Sequence, residues 1–177
     1  MNHNDNILSL ALTAIILCGG GAGTASAQTA ATCPSQPTVA AERQTLNCEA
    51  GLSITVERGA HYQLEDRNGD GHVDAIKLDG KATLIDVDSS RLQGGFEVVT
   101  PQAIAAVRGT RWAVDVRGGR TSVLVLRGRV AVNKVSTGQG VTLGQWQGVD
   151  ADRGRAPLHV TKWKQSRINA LLARLGQ

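Results

Sequence analysis

The sequence predicts an all-β fold, a compact β-sandwich or β-roll-like stack of short strands with one C-terminal amphipathic helix. Three observations predict it. From Leu52 to Val160 apolar residues recur with a period near two, and Gly and Asp punctuate the runs every few residues. Residues 161–177 then change to a helical period. Residues 1–27 read as a leader, so the remainder of the 177 residues suffices for one domain with a core and is short for two.

The leader reading rests on ILSLALTAIILC (7–18), the Gly-rich GGGAG and then ASA before Gln28. An apolar core followed by small residues is the cleavage pattern of a secretory signal peptide. The run is shorter than the ~20 apolar residues that cross a bilayer. MNHNDN lacks the Lys or Arg that such leaders carry, and Leu17 is larger than the residue a lipidation site places before Cys18. Cleavage near Ala27 and a periplasmic or secreted mature chain are expected.

Export leaves two cysteines, Cys33 and Cys48. An even pair outside the cytoplasm reads most simply as a disulfide, which would pin the segment 28–50 to the start of the β-domain.

The strands follow in order. LSITV (52–56) alternates, HYQL (61–64) enters an acidic loop and AIKL (75–78) leaves it. ATLIDV (82–87) follows a DGK turn, and FEVVT (96–100) follows a Gly-Gly pair. AIAAV (103–107), RWAVDV (111–116), TSVLVLR (121–127) and RVAVNK (129–134) come next, and VTL, WQGVD and LHV complete the series to residue 160. The VLVL run has no polar face and predicts a central strand covered on both sides. Gly128 and the Gly109-Thr110 pair interrupt continuous strand patterns, as a bulge or sharp bend would. In residues 161–177, Ile168, Leu171, Leu172 and Leu175 form one helical stripe, with Thr161 placed to cap the start and Gly176 the end. Such a helix packs on the sheet; a membrane-surface or partner-binding helix is the lesser reading.

Nineteen basic against fifteen acidic residues give a formal charge of +4. A basic face could meet an anionic envelope polymer. Nucleic acid is not an expected partner: export separates them, and three Trp, one Tyr and one Phe offer little for base stacking.

EDRNGDGHVDAIKL (65–78) holds the first candidate site. Asp66, Asn68 and Asp70 stand at every second position, followed by the His72 carbonyl and Asp74. This is the spacing of oxygen ligands around Ca²⁺, although Lys77 stands where the bidentate Glu of a helix-flanked calcium loop belongs and both flanks read as strands. Three carboxylates turned to one centre would repel each other without a cation. The alternative is a plain NG/DG hairpin turn with its carboxylates in water. Both remain open at this point.

Arg108-Gly109-Thr110-Arg111 could present N–H groups and cations to an anion. The structural alternative, in which Gly109 bends the strand and Arg108 meets buried carbonyls or a carboxylate such as Asp115, is preferred. Trp112, Trp146 and Trp163 could stack a sugar, but such residues more often fill a sheet–helix interface. No catalytic constellation accompanies His61, His72 or His159, so an enzyme is not expected.

Residues 96–132 resemble the FecR domain, the periplasmic portion of ferric-citrate-type regulators. Thr100, Pro101, Ala106, Val107, Arg108, Gly109, Thr110, Trp112, Val114, Val125, Gly128, Val130 and Val132 carry the resemblance. It implies a periplasmic all-β module that receives a signal and passes it through a membrane helix to a cytoplasmic anti-sigma segment. With no internal apolar run of spanning length, this sequence is expected to need a separate envelope or membrane protein as partner. The expected organisation is thus a leader (1–27), a disulfide-pinned segment (28–50), a FecR-like β-domain (51–160) and a helix packed on it (161–177). A structural envelope protein that binds anionic cell-wall polymer is the alternative, and a hydrolase with a cryptic site the third reading.

Overall fold

The computed structural model describes residues 33, 35–36, 43–48, 51–88, 90–91 and 94–177. The expected leader lies outside them. The described chain is all-β with one helix: β1 (Ser35–Gln36), β2 (Arg43–Cys48), β3 (Leu52–Glu57), β4 (His61–Glu65), β5 (Ala75–Val87), β6 (Phe96–Val99), β7 (Ala103–Val107), β8 (Arg111–Arg117), β9 (Arg120–Arg127), β10 (Val130–Lys134), β11 (Gly140–Leu143), β12 (Gln147–Ala151), β13 (Thr161–Lys162) and α1 (Gln165–Arg174).

One long strand turns a single curled sheet into two layers. The first half of β5 pairs with β4 and, in parallel, with β6, whereas residues from Lys81 onward pair with β3 and β8. The DGK stretch therefore does not reverse the chain as a turn would. Lys81 takes a φ of 71°, and the strand bends and continues into the other layer. The first layer runs β4–β5–β6–β7–β10–β11, and the second holds β1, β2, β3, the rest of β5, β8, β9, β12 and β13.

Period-two alternation decides what lies between the layers. Ile76, Leu78, Phe96, Val98, Val130 and Val132 point inward from one side, and Ile54, Ile85, Trp112, Val114, Val123 and Val125 from the other. Each side chain so buried contributes about 1.5–3 kcal/mol. Phe96 meets Trp112 edge to face, with ring centroids 6.1 Å apart.

The outer face of the second layer has its own core. Ala82, Leu84, Ala113 and Leu124 are covered by Trp163, Ile168, Leu171 and Leu175. β9 is thus buried on both faces, as its VLVL run predicts: Val123 and Val125 face the first core and Leu124 the second.

The helix begins later than expected. Thr161 is not its cap, because Thr161-Lys162 pairs as a strand with Gly148 and Gln147, and the position before α1 is Lys164, without a side-chain cap. The end is as expected: Gly176 has a φ of 72° and donates to Ala173 O, while the Gln177 N–H reaches Leu172 O. Residues 158–160 form no strand, since the Leu158 N–H is taken by the Gln139 side chain at 2.7 Å. Trp146 sits in a turn just ahead of β12.

Candidate functional site

The acidic loop is rooted firmly. Asp74 N donates to Glu65 O at 2.9 Å and Glu97 N donates to Asp74 O at 3.0 Å, so β4 and β6 clamp its base. Arg67 adds ion pairs to Glu65 and Glu97. Inside the loop the carboxylates are turned onto backbone N–H groups. Asp66 accepts from Gly69 at 2.7 Å and Gly71 at 2.8 Å, Asp70 from His72 at 2.8 Å, and Asp74 from Arg67 at 2.9 Å. Asn68 Nδ2 donates to Asp70 at 3.0 Å. The His72 N–H and the Asn68 amide hold the Asp70 carboxyl below its usual range. Among the described residues no three His, Cys, Asp or Glu side chains meet as a metal-holding group. The donor set of carboxylates and one amide suits a hard cation, and a carboxylate oxygen that accepts one N–H keeps a second lone pair. Convergence on an ion would use those lone pairs or swing the side chains off their N–H partners.

The residues of the RGT stretch serve the crossover between layers. β7 lies in the first layer and β8 in the second, while β9 lies in the second and β10 in the first. Gly109 (φ 63°) and Gly128 (φ 85°) make the two crossings side by side. Buried Thr110 stitches them: its hydroxyl lies 3.1 Å from Arg129 O, and its carbonyl accepts the Val87 N–H at 3.0 Å. Arg108 is exposed, and Asp115 is taken by Arg174 and Arg117, so the suggested Arg108–Asp115 contact does not form. A second buried stitch joins the layers at the TPQA turn. Thr100 Oγ1 accepts from Ala103 N at 3.0 Å and sits 2.8 Å from Thr121 Oγ1 on β9, which donates to Gln102 Oε1 at 2.8 Å. Pro101 follows Thr100 in the same turn.

The three tryptophans part company. Trp112 is in the central core and Trp163 under the helix, each with an indole N–H that finds no acceptor. Trp163 packs against Gly148, where a Cβ would come within 2.4 Å of the indole, and the Arg167 guanidinium stands over the ring 3.4 Å from its centroid. Only Trp146 is exposed.

Charge is largely spent within the second layer. Arg174 on α1 bonds Asp115 at 2.9 Å and pairs with Glu57, and Arg167 reaches Asp150 at 2.6 and 3.0 Å. Burial alone would raise the Glu57 carboxyl, but Arg174, the Ala82 N–H and Arg117 together hold it below its usual value. Asp150 is likewise lowered, against its burial, by Arg167 and Ser122. Arg111, Arg117 and Arg127 are each within ion-pair distance of an acid, so the basic run around them is not one open cationic face.

Past the C-terminal end of α1 the outer face of the second layer is uncovered and forms two open grooves. One, of about 480 Å³, runs over Thr45, Thr55 and Asp86. The other, of about 370 Å³, lies between Leu172 and Trp146. Arg111 and Gln177, hydrogen-bonded to each other, divide them. Sequence reasoning missed these grooves because their residues come from β2, β3, β5, β8, β9, the connections beside them and the helix end. The one local signal was an aromatic residue in the polar turn GQWQ.

Residues 37–131 match the family described as FecR protein. Comparison with curated proteins gives no match. Two crystal structures described as a "putative anti-sigma factor" from Parabacteroides distasonis share the fold. One has 15% sequence identity and a TM-score of 0.57, covering 78% of this chain and 64% of that one. The other has 14% identity and a TM-score of 0.58, covering 80% and 65%. This chain thus spans under two thirds of the length of those proteins.

Proposed function

The chain belongs to the FecR protein family, and from that premise we propose that it is an exported, non-enzymatic binding and sensing module of the periplasm that acts with a separate membrane signalling partner. The observation that carries this reading is the family match over 37–131, which takes in both layers and both crossings. The description of the two fold neighbours as anti-sigma factors points the same way. No helix among the described residues is long and apolar enough to cross a membrane, which fits a signal handed to another protein. His61, His72 and His159 are each exposed, and the motif's Thr100 and Thr110 are engaged in hydrogen bonds within the fold, which fits a binding surface better than a reaction centre.

Calcium at Asp66, Asn68, Asp70, the His72 carbonyl and Asp74 belongs to this reading as a stabiliser of the loop between β4 and β5. Location is tested by osmotic-shock fractionation of the tagged full chain. Release with periplasmic markers, and a mature N-terminus near Gln28, is expected; retention in the cytoplasm contradicts the proposal. The second reading, a structural protein on anionic cell-wall polymer, draws on the net charge of +4 and predicts salt-sensitive sedimentation with purified peptidoglycan.

A further inference from the structure

We infer that the groove beside Trp146 is a binding site for a saccharide that carries a carboxylate. The inference is independent of the protein partner proposed above, and it narrows the polymer reading to one site and one chemistry.

Trp146 is 45% exposed and takes a φ of 64°, a conformation that bulky side chains rarely adopt. A glycine would meet that backbone requirement without strain. The turn that imposes it is fixed at every side. The Trp146 N–H donates to Val125 O at 2.8 Å, the Gln147 N–H to Gly144 O at 3.1 Å, and Gln145 Nε2 to Leu126 O at 3.1 Å. Gln147 Oε1 accepts the Gly144 N–H at 2.7 Å. The fold therefore holds an indole on a rigid mount with nearly half of the residue's surface left to water. An observed backbone outlier of this kind is a reason to look for function.

The surroundings say which ligand. The exposed large apolar residues among those described are Val135, Trp146 and Val160, and only Trp146 lines this groove. A protein interface or a lipid surface needs a cluster of such residues at its centre. The indole, with half-buried Leu126 and Leu172 beside it and polar groups at the rim, suits a pyranose ring instead, whose C–H face stacks while its hydroxyls take hydrogen bonds. Arg111, Arg127 and Gln177 supply the rim. The two guanidinium groups share one carboxylate, Asp86, at 3.6 Å and 2.8 Å, and Arg111 Nε has no hydrogen-bond acceptor. Arg127 is 60% exposed and turned to the groove side of the strand end. Asp88 also lies within electrostatic reach of Arg127, but the guanidinium has five N–H donors and its bond to Asp86 uses one nitrogen, so Arg127 can still take a ligand carboxylate, the group a guanidinium pairs with best. A volume of about 370 Å³ is enough for one to two sugar rings.

The test titrates trigalacturonate and maltotriose into the full chain, followed by calorimetry and tryptophan fluorescence. Trigalacturonate is expected to saturate a single site. Trp146→Gly is expected to weaken it at least about tenfold while holding or raising the melting temperature, because the substitution relieves the backbone. Arg127→Gln is expected to weaken trigalacturonate and to leave any maltotriose binding unchanged. Absence of trigalacturonate binding up to about 1 mM, or equal binding by Trp146→Gly, overturns the site. Non-saturating association that salt removes and neither substitution alters also overturns it, and leaves the partner proposal standing.

Discussion

Gly128 lies directly against Thr110: a Cβ at position 128 would stand 2.8 Å from Thr110 Oγ1 and 3.0 Å from Gly109 O. The two points where the chain passes between layers are therefore packed backbone to backbone. Gly128→Ala combines that clash with a φ of 85° and is expected to cost about 2–3 kcal/mol. Thr110→Val keeps the volume but leaves Arg129 O without the hydroxyl, at about 1–3 kcal/mol. Urea denaturation checks both, and a loss under about 0.5 kcal/mol for Gly128→Ala contradicts the crossover account.

Arg174 fastens the helix to Glu57 and Asp115, whose side chains are 15% and 18% exposed. Arg174→Met leaves both largely buried carboxylates with less compensation and is expected to cost about 2 kcal/mol. The loss should exceed that of Arg153→Met, because Arg153 is exposed in a loop.

Acid should release the same latch. Glu57 and Asp150 are both lowered in the folded chain, so the stability they contribute is complete above the unfolded carboxylate values of about 4. It is lost as pH falls through the folded values. The melting temperature is expected to be flat from about pH 7 to 5 and to drop below about pH 4. In Arg174→Met the part of the drop that belongs to Glu57 should shrink. A melting temperature that rises on acidification contradicts the assignment.

Cys33 and Cys48 are joined, across a sequence separation of 15. A loop of that length corresponds to about 3 kcal/mol of stabilisation. Reduction, or Cys33→Ser with Cys48→Ser, is expected to lower stability by that order, read by denaturation with and without reductant. An unchanged midpoint means the bridge adds nothing.

Millimolar Ca²⁺ is expected to raise the melting temperature, and Asp70→Ala to abolish the rise. Identical curves in Ca²⁺ and in chelator remove calcium from the account and leave a loop ordered by its own N–H groups.

Much of this architecture was legible because alternation reports burial directly. VLVL, AIAAV and RWAVDV each became the strand their pattern indicates. β2 carries no such signal, since RQTLNC buries only Leu46 and gains its place by pairing with β3. In sequence the sheet switch at Gly80-Lys81 looks the same as a turn, because a bend and a reversal use the same residues. Thr161 looked like a cap until tertiary pairing with Gly148 claimed it. Of the candidate sites, the acidic loop is local and visible in sequence. The Trp146 groove depends on which strands become neighbours, and that information is spread from Asp86 to Gln177.

The direct test of the central claim is chemical crosslinking of intact cells that carry the tagged chain, followed by affinity isolation and absolute quantification of what is recovered. The account predicts a single integral membrane protein, in near-equal amount to the tagged chain and depleted by substitutions on its exposed surface. Recovery of the chain alone at every crosslinker concentration, with membrane proteins at background, would contradict it.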